Sequence, residues 1–146
     1  MKDPRIEKMA KQVIEYSVHL QPGEKVLIDI WDEAYDFAEA LMDAAQRVGA
    51  YPYINLQSLT LNRHMIMRAT EESMEAWYRY ENYRMEDMDA YIVVRKNNNI
   101  KTYEGIPSEQ MKLYNRYYGK LHYGTRVTIT KWCVLRYPND SFAQAA

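Results

Sequence analysis

Cysteine is nearly absent from this sequence: Cys133 stands alone among 146 residues, which excludes an internal disulfide framework and a cysteine-based zinc site. Glycine and proline are sparse, five of each, and no flexible linker, low-complexity tract or internal repeat occurs. An excess of charge of one sign is also missing. The formal net charge is -1 and the pI about 6.3, so bulk charge points to neither nucleic acid nor an anionic membrane. No apolar run approaches the roughly 20 residues of a bilayer-spanning helix. The opening MKDPRIEKMAK is charged where a signal peptide carries an apolar core, so a cytoplasmic protein without membrane contact is expected. Several chemical signatures are lacking as well. Without GxGxxG, a P-loop, GxSxG or HExxH, there is no motif for dinucleotide binding, phosphoryl transfer, serine hydrolysis or a helical zinc site.

What the sequence does contain is organised around Gln21 to Gln57. Pro22-Gly23 is turn chemistry, Lys25 to Ile30 is a short β-branched run suited to a strand buried on both faces, and Ala34, Phe37, Ala38, Leu41, Met42, Ala45 and Val48 recur at helical spacing. Asp32 is the expected N-cap of that helix, Gly49 its stop, and Tyr51 to Leu56 a second strand. Two strands joined through a helix are parallel with a right-handed crossover. The expected fold is therefore an open, mostly parallel α/β sheet of about four strands with flanking helices, in one domain spanning 1–146.

Elsewhere, Asp3 and Pro4 start a helix that ends near Leu20, and Leu59 to Tyr83 reads as helix in two pieces broken at Thr70, whose hydroxyl caps the second. Met88 to Val94 is a third strand, Ser108 to Tyr118 a helix closed by Gly119, and Thr125 to Arg136 a fourth, alternating strand. Cys133 alternates there with Val127, Ile129 and Leu135, as a buried, inert thiol would. Pro138 to Ser141 signals a helix start with only about one turn of chain after it, as expected of a fragment of a longer protein.

Three blocks carry a family resemblance. Arg5-Ile-Glu-Lys-Met-Ala through Tyr16-Ser17 to Pro22-Gly-Glu-Lys-Val-Leu-Ile28, the helix ending Gly49-Ala-Tyr-Pro52, and Trp132-Cys-Val-Leu-Arg-Tyr-Pro138 followed by Ala143-Gln-Ala145 resemble, in order and spacing, the amino-terminal domain of the cobalt- or zinc-activated aminopeptidase family that includes aminopeptidases T and S. Met65 to Tyr123 departs from the pattern and matches mainly at Asp89-Ala-Tyr-Ile92. The resemblance implies a non-catalytic domain that packs beside a catalytic one, shaping a substrate chamber or a dimer. In that family two divalent metal ions, zinc or cobalt, are held by a separate carboxy-terminal domain, so no catalytic, metal or cofactor-binding residue carries over to this chain. The implied partners are that missing domain and a second copy of the chain, with peptide as substrate only in the parent enzyme.

Against this stand two other classes. Asp29, Asp32, Glu33 and Asp36 form an acidic group where open α/β sheets bind ligands, and Asn97, Asn98 and Asn99 are expected at the same edge, so a free-standing small-ligand module or a weak magnesium site is one reading. The blander reading has these acids serve the helix start. His19, His64 and His122 form no dense ligand cluster. Residues 111–139 contain Lys112, Arg116, Lys120, Arg126, Lys131 and Arg136 among five tyrosines and no acid, which would suit a single-stranded nucleic acid. Residues 71–89, with seven acids against two bases, are the expected intramolecular counterpart, which leaves nucleic acid the weaker reading. Trp77, Tyr78, Tyr80, Trp132, Tyr137 and Phe142 are the candidate interface aromatics.

Overall fold

The computed structural model describes residues 3–95 and 100–136. Its centre is the expected strand-helix-strand unit: β1 (Lys25–Trp31), α2 (Tyr35–Arg47) and β2 (Tyr51–Gln57), preceded by α1 (Pro4–Gln12). Gly49 ends α2 because the backbone there needs φ of 84°, which a side chain disfavours. The Gly49 N–H donates to Gln46 O and the Ala50 N–H to Ala45 O, a Schellman closure that satisfies two terminal carbonyls. Gly23, with φ of 83°, donates in turn to Gly49 O, so the two ends of the unit are tied together at 2.9 Å.

After β2 come α3 (Leu59–Met67) and α4 (Glu71–Glu86), broken at Thr70 as expected. There the Ser73 N–H donates to the Thr70 hydroxyl at 3.1 Å and the Thr70 N–H to the Ser73 hydroxyl at 2.9 Å, a reciprocal cap. The chain continues through β3 (Ala90–Arg95), α5 (Ser108–Leu121) and β4 (Lys131–Arg136). All four strands are parallel, in the order β2-β1-β3-β4. Ile28 lies level with Ile54 on one side and Ile92 on the other, and Ile92 with Cys133.

The sheet separates two apolar layers because successive side chains point to opposite faces. Val26, Ile28 and Ile30 of β1, with Ile92 and Val94 of β3, pack on Ile14, Phe37 and Leu41 from the α1 and α2 side. Cys133 and Leu135 of β4 reach the same layer, where burial raises the Cys133 thiol pKa. On the other face Leu27, Trp31, Tyr91 and Val93 meet Met85 of α4 and Leu121 of α5. A third cluster, with Ile66, Met74, Tyr114 and Tyr117, fills the space among α3, α4 and α5. Among the described residues, no helix is long and apolar enough to cross a membrane.

Four local expectations differ from the structure. Asp32 does not cap α2: its φ is 56°, the cap position belongs to Ala34, and no side chain bonds there. Gly119 does not close α5, which runs on to Leu121 and continues as a π-helical turn over His122–Arg126 and a short helical turn over Val127–Ile129. Only Lys131–Arg136 of the expected fourth strand is extended. The β-branched alternation of 125–130 reads as strand, but Thr130 closes the helical path instead, with both its N–H and its hydroxyl donating to Arg126 O. Finally, α1 continues as a π-helical turn over Val13–Ser17, ending short of Leu20.

Candidate functional site

The chain leaves β1 toward β2 on one side and returns to β3 on the other, so the strand order reverses between β1 and β3. Open α/β sheets bind ligands outside the carboxyl ends of their strands at such a reversal. Side chains from β1, β2, β3, α5 and the turn after α5 meet there in two tiers.

The lower tier surrounds Asp29, which alternates with Leu27 and Trp31 on the α4 and α5 face of β1 and is fully buried. Its carboxylate accepts from the Tyr91 hydroxyl at 2.6 Å, from Asn55 Nδ2 at 3.1 Å and from Gln57 Nε2 at 3.1 Å. Asn55 is its in-register neighbour on β2, and Tyr91 comes from the adjacent β3. Burial, then the Asp29 charge, pushes the Tyr91 phenol well above its ordinary pKa, so it remains a proton donor. Arg126, held by the turn after α5, places its guanidinium 4.7 Å above the Tyr91 ring and sets Nη2 3.9 Å from both Asp29 Oδ2 and Glu81 Oε2. Its side chain is 3% exposed, yet Nε and Nη2 have no hydrogen-bond partner among the described residues.

The upper tier is aromatic and cationic. Arg95, the last residue of β3, lies 5.8 Å over the Trp31 ring and donates to the Tyr118 hydroxyl at 3.5 Å. Tyr118 stacks on His122 with ring centroids 5.3 Å apart. The His122 Nδ1 atom is buried without a partner among the described residues, and burial, followed by the charges of Arg126 and Arg95, holds the imidazole pKa below its ordinary value. Beside this tier Asp32 and Glu33 both take left-handed backbone, φ of 56° and 68°. The Asp32 N–H donates to Gln57 O, and its carboxylate accepts from the Leu59 N–H, so it serves the start of α3 rather than that of α2.

Of the residues singled out from sequence, Asp29 and Asp32 both lie on β1 or the loop that leaves it, but Asp29 is inside the sheet layer and not on an open edge. Asn97, Asn98 and Asn99 fall outside the described residues, as do Tyr137 and Phe142. Trp77 and Tyr78 are packed between α4 and α5, near Tyr114 and Tyr117 respectively. Tyr80 and Trp132 are exposed, at 69% and 49%. Tyr91, Arg95, Tyr118, His122 and Arg126 were not gathered by sequence reasoning. A signal existed for Tyr91, which shares strand parity with Asp29, and for Asn55 and Gln57, which alternate on β2. Arg126 was hidden by the reading of its segment as strand. The oppositely charged segments do meet, through Arg116 with Glu71, the Tyr117 hydroxyl with Glu71, and Arg126 with Glu81.

Among the described residues, no three His, Cys, Asp or Glu side chains converge as a metal site requires. Asp29 and Asp32 do not fit one either, since Asp29 accepts from three side chains and Asp32 from a helix start.

Residues 2–146 match the profile of a family described as thermophilic metalloprotease (M29). Among solved structures, the wild-type AmpT of Thermus thermophilus superposes with a TM-score of 0.71 at 26% identity, over 96% of this chain and 37% of that one. The chain thus spans 37% of the length of AmpT. An enoyl reductase, CurK (TM-score 0.42, 14% identity, 98% of this chain and 45% of that one), carries no weight at that distance. Nor does a LacI-family transcription repressor of Corynebacterium glutamicum (0.42, 13%, 91% and 62%). No curated protein sequence matches significantly. A profile match over nearly every residue, together with the AmpT superposition, means that the chain belongs to the thermophilic metalloprotease (M29) family.

Proposed function

We propose that this chain is the amino-terminal, non-catalytic α/β domain of a cytoplasmic, metal-dependent aminopeptidase that removes amino-terminal residues from peptides, and that it walls the substrate chamber or supports a dimer. The observation that carries this reading is the asymmetry of coverage: 96% of the chain superposes on AmpT, yet it accounts for 37% of AmpT. Two divalent ions, zinc or cobalt, would belong to the rest of the parent protein.

A free-standing ligand-binding module is the second reading, and the unpartnered donors of Arg126 beside His122 favour it. The nucleic-acid reading is weakened because Arg116 and Arg126 face Glu71, Asp29 and Glu81 inside the domain. Sequencing the gene beyond the codon for Ala146 separates the first two. Glu- and His-bearing ligand segments in the same frame are expected, whereas an immediate stop codon would overturn the domain-of-an-enzyme reading in favour of a module.

A further inference from the structure

Arg95 differs from the other arginines of the strand-end region in what it meets. Arg126 below it faces the carboxylates of Asp29 and Glu81, and Arg84 pairs with Glu81 at 3.1 Å, so in that tier two cations meet two anions. Arg95 meets only the Trp31 ring and, at 3.5 Å, the Tyr118 hydroxyl, and has no carboxylate partner among the described residues. A guanidinium held against aromatic rings keeps its planar fork open to one side, which suits two-point contact with a carboxylate. Beside it, His122 leaves Nδ1 unpartnered, and buried Arg126 leaves Nε and Nη2 unpartnered. Buried polar atoms are nearly always satisfied, so an unsatisfied group of this kind in a native fold points to water or a ligand that completes it. Among the described residues no ion pair joins Arg95 to an acid of β1 or its following loop, and the Asp29 and Asp32 carboxylates are turned to donors of β2, β3 and the start of α3. All of this lies at the reversal of strand order, where open α/β sheets take their ligands.

We propose that the strand-end region between β1 and β3 is a carboxylate-binding site in which Arg95 makes the principal contact, Tyr118 and His122 flank it, and Trp31 forms the apolar floor. Arg95 offers one positive charge without a carboxylate partner among the described residues, which suits a monoanionic carboxylate better than a phosphate dianion, and the rings favour an organic ligand over a bare inorganic ion. The identity of the ligand rests on the aminopeptidase reading: the site would hold the carboxy-terminal group of a short peptide whose other end reaches the catalytic domain. The existence of the site does not rest on that reading.

The test is an NMR titration of the purified 146-residue chain with N-acetyl-alanyl-alanine, with its carboxy-terminal amide and with inorganic phosphate, following the Trp31 indole N–H and the Arg95 side-chain N–H. The free acid is expected to shift both signals saturably, with a dissociation constant on the order of millimolar. The amide should leave them in place. Arg95→Gln, at the half-buried end of its strand, is expected to keep the far-UV circular dichroism and to weaken binding by roughly tenfold or more, as loss of a charge-assisted contact does. Tyr118→Phe removes only a hydroxyl and should weaken it less. No saturable shift, an equal response to acid and amide, unchanged binding by Arg95→Gln, or a preference for phosphate would each overturn the assignment. Because the assay involves no hydrolysis, its failure would leave the enzyme-domain reading to stand or fall on the gene sequence.

Discussion

A carboxylate carried from water into a sheet loses several kcal/mol of hydration unless donors meet its oxygens. Asp29 is met by Tyr91, Asn55 and Gln57, with the Arg126 guanidinium nearby. The arrangement is asymmetric. Without Arg126, Asp29 keeps its three donors; without Asp29, the one carboxylate left to Arg126 among the described residues is Glu81 at 3.9 Å, beside the face of the Tyr91 ring. Asp29→Ala should therefore destabilise by about 3–5 kcal/mol, the range for an uncompensated buried charge, and Arg126→Met by less, about 1–3 kcal/mol. Urea unfolding of both variants checks this, and a larger loss from Arg126→Met would contradict it. His122 gives a second residue-scale expectation. Its pKa should fall below the ordinary value of about 6.5, through burial first and the Arg126 and Arg95 charges next, and should rise in Arg95→Gln. A depressed imidazole pKa contributes stability that is present above about 6.5 and lost as pH falls through the folded value, so His122→Phe should be less acid-sensitive between neutrality and that point. Imidazole NMR titration measures the shifts, and an Arg95→Gln variant that leaves the His122 pKa unmoved would break the proposed proximity. Little of this constellation was legible in the sequence. Asp29 stood out in an apolar strand, but its donors come from three elements, and only the sheet register reveals that they converge.

At the scale of elements, two glycines separate what local signals could and could not say. Gly49 stops α2 with φ of 84°, and an added Cβ would meet Pro22 at an ordinary 3.5 Å, so Gly49→Ala should cost about 1–2 kcal/mol through backbone strain alone. Gly119 looks like the same stop signal in sequence, but it lies inside α5 with open space around it. Gly119→Ala should therefore stabilise the domain by about 0.5–1 kcal/mol. Paired thermal melts check both signs, and destabilisation by Gly119→Ala would contradict the continuous α5. Thr70→Ala, which removes half of a reciprocal cap, should cost about 1 kcal/mol. The strand-helix-strand unit and the break at Thr70 were legible because their turn and cap residues act locally. The path from Thr125 to Thr130 was not, since β-branched alternation there is overridden by the seat of Arg126 beneath the sheet's helical face.

The whole molecule is an α/β/α sandwich with one uneven side. β4 is an edge strand whose Cys133 and Leu135 join the α1 and α2 layer, while Trp132 and Val134 on the opposite face are 49% and 47% exposed. A parallel strand is ordinarily covered on both faces, so this surface suits a partner, and the isolated chain is expected to self-associate through it. Light scattering across a concentration series should show mass rising toward a dimer, with Trp132→Ala weakening the association. A constant monomer mass at high micromolar concentration would contradict it. The central claim, a metalloprotease-family domain that carries no catalytic centre of its own, is tested most directly by assaying the purified chain on aminoacyl substrates with added zinc or cobalt. No turnover above the metal blank is expected with either ion. Hydrolysis that follows the protein through purification, is abolished by a chelator and returns with zinc or cobalt would contradict the account.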